Sequence, residues 1–311
     1  MSQIHPQTTP LAKIVVVLNP KAGGETKDSF ETHLSDLFRA YGRPAEILHT
    51  EPGVDLRQLL ASAKIDENSV VVAGGGDGTV SSVAAQLAGT KCTLGVLPLG
   101  TLNHFAKDLG IPLDFEGAVR TATHGVVRQV DVGEVNGRVF VNNSGLGIYP
   151  QVVAEREAQQ ATRGSRKWPA FARASLGAFR RYPFLTLRLH VEGKERLLKT
   201  ACVFIGNNEY QMAGLRLGGR RCLCAGKLSF YVANRTGRFG LLRLAARALA
   251  GRLNQAKDFE AFCIEEAWID SRKHSLLVTT DGEVTRMKPP LHYRIRPGAL
   301  RVMAPAESIA N

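Results

Sequence analysis

The chain has no uninterrupted apolar stretch of the roughly 18–20 residues that a membrane-spanning helix needs. Its opening, MSQIHPQTTPLAK, lacks a basic segment followed by an apolar one, so no secretory signal is expected. Cysteine is sparse. The five present (Cys92, Cys202, Cys222, Cys224 and Cys263) are an odd number without the spacing of a disulfide framework, which points to reduced thiols in a cytosol. Cys222 and Cys224 have no second Cys or His pair beside them, which argues against a zinc site. Internal repeats and low-complexity tracts are absent as well. With 44% apolar and 22% charged residues over 311 positions, the composition is globular and leaves room for two domains.

Acidic residues are scarce in one part of the chain. Between Gln151 and Lys257 there are 21 Lys and Arg against 5 Asp and Glu, whereas the remainder holds 19 against 23. The net charge of +12 is therefore concentrated in the middle. Such a segment predicts an anionic partner, a membrane surface or nucleic acid. Nucleic acid is the weaker reading, because neither a stacking platform nor a recognised binding module accompanies the charge. Residues 162–183 (TRGSRKWPAFARASLGAFRRYP) interleave six basic residues with Trp168, Phe171, Phe179 and Tyr182. Residues 238–257 place Arg238, Arg243, Arg247 and Arg252 among Leu and Ala. Both read as basic amphipathic helices suited to an anionic membrane interface.

The first part alternates apolar β-branched runs with helix-forming stretches. Strands are expected at 13–18, 45–49, 69–73 and 93–98, with helices near 27–41, 55–64 and 80–88. That alternation predicts an α/β domain with a parallel sheet, buried on both faces. Beyond about residue 126 the pattern becomes alternating with turn signals, including EVNGR and VEGK, as in an antiparallel β domain. A final pair of runs, LHYRIR and ALRVMAP, flanks Pro297–Gly298 as a turn. The expected division is 1–128 for the nucleotide-binding α/β domain, rejoined by 289–311, and 129–288 for a β-rich substrate domain.

Three segments carry candidate chemistry. VVAGGGDGTVSSV (71–83) is a strand, a glycine-rich turn and a helix start, the form in which α/β proteins present amides to phosphate. It is not a Walker loop, since Gly78 is followed by Thr79–Val80, nor a dinucleotide fingerprint, which requires glycine at position 79. Its lone carboxylate, Asp77, suits a magnesium ion bridging phosphates. PLGTLNHFAKDLGIP (98–112) adds a second tight turn with Gly100, Thr101 and Asn103. VTTDGEV (278–284) places Asp281 and Glu283 around a glycine, two carboxylates able to share a proton, accept one from a hydroxyl, or bind metal. An Asp-Gly hairpin turn would read the same way.

In order along the chain, NPKAGG (19–24), GGGDGTV (74–80), PLGTLNHFAKDLGIP (98–112), FVNNSGLGIYPQVV (140–153), DGE (281–283) and RIRPGALRVMAP (294–305) resemble the diacylglycerol kinase catalytic-domain family. The resemblance covers residues 12–305 and extends to bacterial lipid kinases related to sphingosine and ceramide kinases. It implies an N-terminal α/β nucleotide domain of the NAD kinase/diacylglycerol kinase type and a C-terminal antiparallel β-sandwich that shapes a lipid cleft. It implies ATP-dependent, magnesium-assisted phosphorylation of a lipid hydroxyl in phospholipid metabolism, by a cytoplasmic enzyme held peripherally at the inner face of the membrane. Its nucleotide positions map onto Asn19, Pro20, Lys21, Ala22 and Gly23, onto Thr50, onto Gly74, Gly75, Gly76, Asp77, Gly78 and Thr79, and onto Gly100, Thr101 and Asn103. The catalytic unit maps onto the Asp281/Glu283 pair, with the member left open. Two positions depart from the family pattern. His104 stands where many members have Asp. In CLCAGKLSF, Ala225 stands where family members from several bacteria have an Asp that anchors a structural magnesium, and the nearby Lys227 disfavours a cation. The alternatives are an NAD kinase-like enzyme and a catalytically silent lipid-binding or regulatory protein.

Overall fold

The computed structural model describes residues 13–19, 27–50, 54–147, 185–191, 193–213, 216–220, 222–233 and 259–306. Residues 20–24 of NPKAGG, with Pro20, Lys21, Ala22 and Gly23, lie outside them, as do both basic segments at 162–183 and 238–257. The chain divides into two compact units, Met1–Arg128 with Leu300–Asn311, and Gln129–Ala299.

Unit 1 is an α/β domain. Strands β1 (Ile14–Leu18), β3 (Val70–Gly75) and β4 (Thr93–Pro98) are buried at every position, as uniformly apolar strands must be when both sheet faces are covered. They pair in parallel with β2 (Ala45–His49) in the order β2-β1-β3-β4, and β4 also pairs in parallel with Arg301 and Val302. The crossovers are α1 (Lys27–Ala40), α2 (Leu56–Ser62) and α3 (Asp77–Leu87), followed by α4 (His104–Asp108) and α5 (Phe115–His124). Helix α3 buries Val80, Val83, Ala84 and Leu87, one helical stripe whose larger side chains each stabilise by about 1.5–3 kcal/mol. Strand order reverses between β1 and β3. Chain leaving the carboxyl ends of these strands therefore diverges and opens a crevice, the usual ligand position in open α/β sheets.

Unit 2 is built from antiparallel strands. One sheet has the order β14 (Phe259–Ile264), β13 (Leu228–Ala233), β10 (Cys202–Asn207), β7 (Asn143–Gly147), β16 (Leu276–Thr280) and β17 (Glu283–Met287). In the other, β9 (Lys194–Thr200), β8 (Leu185–Val191), β15 (Glu266–Ser271) and the first part of β18 (Leu291–Ala304) are joined by β5 (Val126–Val135) and β6 (Arg138–Phe140). Alternate residues of both sheets form one apolar core, with Phe140, Phe230 and Tyr293 packed edge to face. The Tyr293 hydroxyl is fully buried and meets Ser144 Oγ at 3.0 Å, which satisfies a polar group that would otherwise be stranded. Strands β11 (Tyr210–Ala213) and β12 (Arg216–Arg220) pair antiparallel as a separate two-stranded sheet.

One expectation changes. Pro297–Gly298 does not join a hairpin, because LHYRIR and ALRVMAP are successive parts of β18. Gly298 takes a φ of +59° and donates its N–H to Asp131 Oδ1 at 2.8 Å, so the pair marks an irregularity within the strand. Among the described residues, no helix is long and apolar enough to cross a membrane.

Candidate active site

In unit 1 the glycine motif resolves into glycines with different tasks. Gly74 and Gly75 end β3 and are buried. A Cβ on Gly75 would lie 2.4 Å from Thr79 Oγ1, and one on Gly100 would lie 2.5 Å from Gly76 Cα. Gly75 therefore makes room for the Thr79 side chain within its own motif, whereas Gly76 and Gly100 let the turn after β3 and the turn after β4 pack backbone against backbone. Gly78 differs: it is exposed, and a Cβ there would meet nothing within 4 Å. It lies in the first turn of α3, where the amides of residues 77–79 precede the first intrahelical bond, Val80 N–H to Gly76 O at 3.1 Å. A bare helix start of this kind, with free amides and the positive end of the helix dipole, is suited to binding phosphate.

The other expected nucleotide residues follow the neighbouring strands. Asn19 follows β1, donates its N–H to Gly74 O at 2.9 Å, and reaches Thr79 Oγ1 with Nδ2 at 3.4 Å. Thr50 follows β2 and continues the ladder through Leu18 O at 3.0 Å. Thr101 is exposed at the tip of the second turn. Asn103, expected to cap or to bind, supports that turn from inside. It is buried with φ at +51°, accepts Gly100 N–H at 3.1 Å, and donates to Pro98 O and Gly100 O at 3.1 and 2.8 Å. It makes no side-chain cap to α4.

Asp77 Oδ1 accepts the backbone N–H of His104 at 2.8 Å and so links the two turns. The residue that departs from the family pattern thus meets Asp77 through its backbone. A carboxylate with one oxygen engaged still offers the other as a hard donor, which suits a magnesium ion that keeps most of its ligands as phosphate and water. Among the described residues, no three His, Cys, Asp or Glu side chains converge as a protein-only metal centre.

In unit 2 the DGE segment is a two-residue hairpin between β16 and β17, with Thr280 paired to Glu283. Asp281 and Gly282 have φ of +49° and +90°, the primed turn that Asp-Gly favours. The two carboxylates have different partners. Asp281 Oδ2 accepts Val141 N–H at 2.8 Å, while Oδ1 accepts Asn142 and Asn143 N–H at 2.8 and 3.0 Å. Its own N–H returns to Asn143 O at 2.8 Å. Asp281 is thereby the peg that fixes segment 141–143. The other side of that segment is also gripped: Arg220 donates to Val141 O and Asn142 Oδ1, Tyr210 OH to Asn142 O at 3.0 Å, and Asn207 Nδ2 to Val141 O at 2.9 Å. Glu283, by contrast, is exposed and accepts from Arg138 Nη2 through Oε2.

Arg138, Thr280 and the grip on 141–143 escaped the sequence reading. The available signal was that Arg138 directly follows an Asn-Gly turn, as Glu283 follows an Asp-Gly turn. The CLCAGKLSF stretch is held by protein groups. Gly226 N–H donates to Asp131 Oδ2 at 2.7 Å, Ala225 N–H to Asn208 Oδ1 at 3.1 Å, and Lys227 pairs with Glu265 at 2.7 Å. That ammonium holds the Glu265 carboxyl below its ordinary value. Cys222 Sγ accepts the N–H of Cys224 at 3.0 Å. Hydrogen bonding to Cys222, with burial second, pushes the Cys224 thiol up to about 11, so it stays protonated at neutral pH.

Residues 13–135 match the family described as diacylglycerol kinase catalytic domain, and residues 147–304 match the YegS C-terminal NAD kinase beta sandwich-like domain. The chain is 36% identical over 138 residues to diacylglycerol kinase of Bacillus subtilis, covering 42% of this chain and 45% of that relative. Across the curated relatives it matches, the chain spans between 38% and 59% of their length. Among solved structures, a diacylglycerol kinase of Bacillus anthracis superposes with a TM-score of 0.69 at 21% identity, over 97% of this chain and all of that one. Yeast NADH kinase superposes with a TM-score of 0.53 at 12% identity, over 96% of this chain and 85% of that one. At these identities the two structures speak to fold alone.

Proposed function

The chain belongs to the diacylglycerol kinase catalytic-domain family, and on that premise we propose that it transfers the γ-phosphoryl group of ATP to a primary hydroxyl of a lipid, such as diacylglycerol, ceramide or a sphingoid base. The observation that carries the reading is the division of labour at the DGE turn: Asp281 is pegged by three amides, and Glu283 alone of the two presents an exposed carboxylate on a rigid hairpin. Glu283 is accordingly the base and Asp281 its anchor.

On the donor side, the amides of 77–79 and the dipole of α3 hold phosphate oxygens, with Asn19, Thr50, Thr79 and Thr101 around them. Asp77 would hold magnesium, which when bound neutralises charge on the transferring phosphates. On the acceptor side, the lipid O–H gives its proton to Glu283, the oxygen bonds to the γ-phosphorus, and the bond from that phosphorus to the β–γ bridging oxygen breaks, releasing ADP. Because the transition state is loose, the proton leaves late and a carboxylate suffices as acceptor. The basic segments 162–183 and 238–257 support docking on anionic lipid at the inner face of the membrane.

The test uses purified protein, radiolabelled ATP, magnesium and a lipid panel in anionic or zwitterionic vesicles, with lipids separated by chromatography. Labelled lipid should appear, faster on anionic vesicles, and Glu283→Gln should lower kcat by about a hundred-fold or more while ATP binding survives. No labelled lipid, with labelled NADP in a parallel NAD reaction, would assign the chain to the NAD kinase-like alternative. Equal rates on both vesicle types would remove the membrane assignment.

A further inference from the structure

Arg138 begins β6 directly after the Asn136–Gly137 turn, whose φ values are +47° and +82°. Glu283 begins β17 directly after the Asp281–Gly282 turn. Two rigid primed turns thus each present a side chain from a backbone with little freedom. The turn before Arg138 is tied down independently, since Asn136 N–H donates to His292 O at 3.0 Å and Asn136 Oδ1 accepts His292 N–H at 2.7 Å. The guanidinium is fixed at both prongs of its fork. Nε donates to Thr280 Oγ1 at 2.8 Å, and Nη2 donates to Glu283 Oε2. Thr280 is 3% exposed and pairs across the ladder with Glu283, so the hydroxyl that orients Arg138 is built into the same hairpin as the carboxylate.

Stability does not account for this arrangement. The side chains of Arg138 and Glu283 are 38% and 58% exposed, and an ion pair so exposed contributes about 0–1 kcal/mol. Restricting the carboxylate is a different matter, because a mobile base samples its productive position only part of the time. A misplacement of about 1 Å can cost on the order of a hundred-fold in rate.

We propose that Arg138 is a positioning residue for the acceptor side of the site: it occupies Glu283 Oε2 and leaves Oε1 as the atom that receives the lipid proton. The proposal deepens the reading of Glu283 as base and rests on it. Planar fork geometry explains why arginine serves here and lysine would not. A lysine ammonium is a single point that cannot span Thr280 and Glu283 with the same directional constraint.

The test compares wild type, Arg138→Ala, Arg138→Lys, Glu283→Gln and the double variant Arg138→Ala/Glu283→Gln in the lipid kinase assay. Arg138→Ala should lower kcat about ten- to a hundred-fold with KM for ATP changed less than about twofold, and Arg138→Lys should fall between it and wild type. Millimolar guanidinium should speed Arg138→Ala several-fold and leave Glu283→Gln unchanged. The double variant should be no slower than Glu283→Gln alone. An Arg138→Ala enzyme at wild-type rate, beside a crippled Glu283→Gln, overturns this inference and spares the assignment of the base. A fully active Glu283→Gln removes the base and this inference with it. Independently of turnover, carbodiimide coupling of Glu283 to an amine, read by peptide mass spectrometry on substrate-free protein, should accelerate several-fold in Arg138→Ala. Unchanged coupling refutes the pairing itself.

Discussion

Replacing Asp281 separates the two reasons a turn carries aspartate. At a φ of +49° the position favours Gly, Asn and Asp, so both Asp281→Asn and Asp281→Gly preserve the backbone. What they remove is the acceptor for three N–H groups, two of them on Val141 and Asn142, residues 0% and 5% exposed. A hydrogen bond to a charged group contributes about 1.5–3 kcal/mol, and a buried N–H left without a partner costs about 1–3 kcal/mol. Asparagine keeps one neutral oxygen for Asn142 and Asn143 and turns an NH2 toward the Val141 N–H. One bond is lost and two are weakened, a loss of roughly 3–5 kcal/mol. Glycine loses all three and should cost at least as much, although it is the best residue for the turn itself. Trp268, on β15, lies in unit 2, so its fluorescence during urea unfolding reports the unit that contains Asp281. For a unit of this size the loss corresponds to about 6–20 °C in melting temperature. ATP affinity should hold, because the donor residues belong to unit 1. If both variants unfold within about 0.5 kcal/mol of wild type, Asp281 is only a turn former and the peg is refuted.

Gly100→Ala should loosen ATP binding and lower the stability of unit 1 by about 1–3 kcal/mol, because its Cβ would meet Gly76 Cα at 2.5 Å. Gly78→Ala meets nothing within 4 Å and should fold at least as well as wild type, since alanine is the better helix former by up to about 1 kcal/mol. Calorimetry should nonetheless show weaker ATP binding for Gly78→Ala, and unchanged affinity would remove the bare start of α3 from the phosphate site. Asp77→Asn retains an oxygen for the His104 N–H and should remain folded. It should lose on the order of ten-fold in ATP affinity with magnesium present, about 1.4 kcal/mol, and little in EDTA. Equal loss in both buffers would make Asp77 a structural link only.

The parts of the molecule legible from sequence are those whose cause is local. Strands such as IVVVL and VVVAGG are buried at every position and carry no polar alternation to mislead a reader. Primed turns announce themselves as Asn-Gly and Asp-Gly because few other residues accept positive φ. Pro297–Gly298 shows the limit of that rule, since the same dipeptide chemistry serves a hairpin or an irregular strand, and only the partners of the flanking segments decide. The glycine motif shows another limit. Gly75 answers to the Thr79 side chain, Gly76 and Gly100 to the approach of a second turn, and Gly78 to open space, yet all four look alike as letters. The DGE turn is the sharpest case. The local sequence places Asp281 in the turn and Glu283 after it, but their partners are Val141–Asn143 and Arg138, which lie 138 to 145 residues away in the chain. A motif therefore marks where a carboxylate is placed, whereas the distant groups that engage or release its lone pairs determine whether it anchors or reacts. On that argument, functional assignment within a paired-acid motif should begin by asking which oxygens are already hydrogen-bonded. Here the answer leaves Glu283 Oε1.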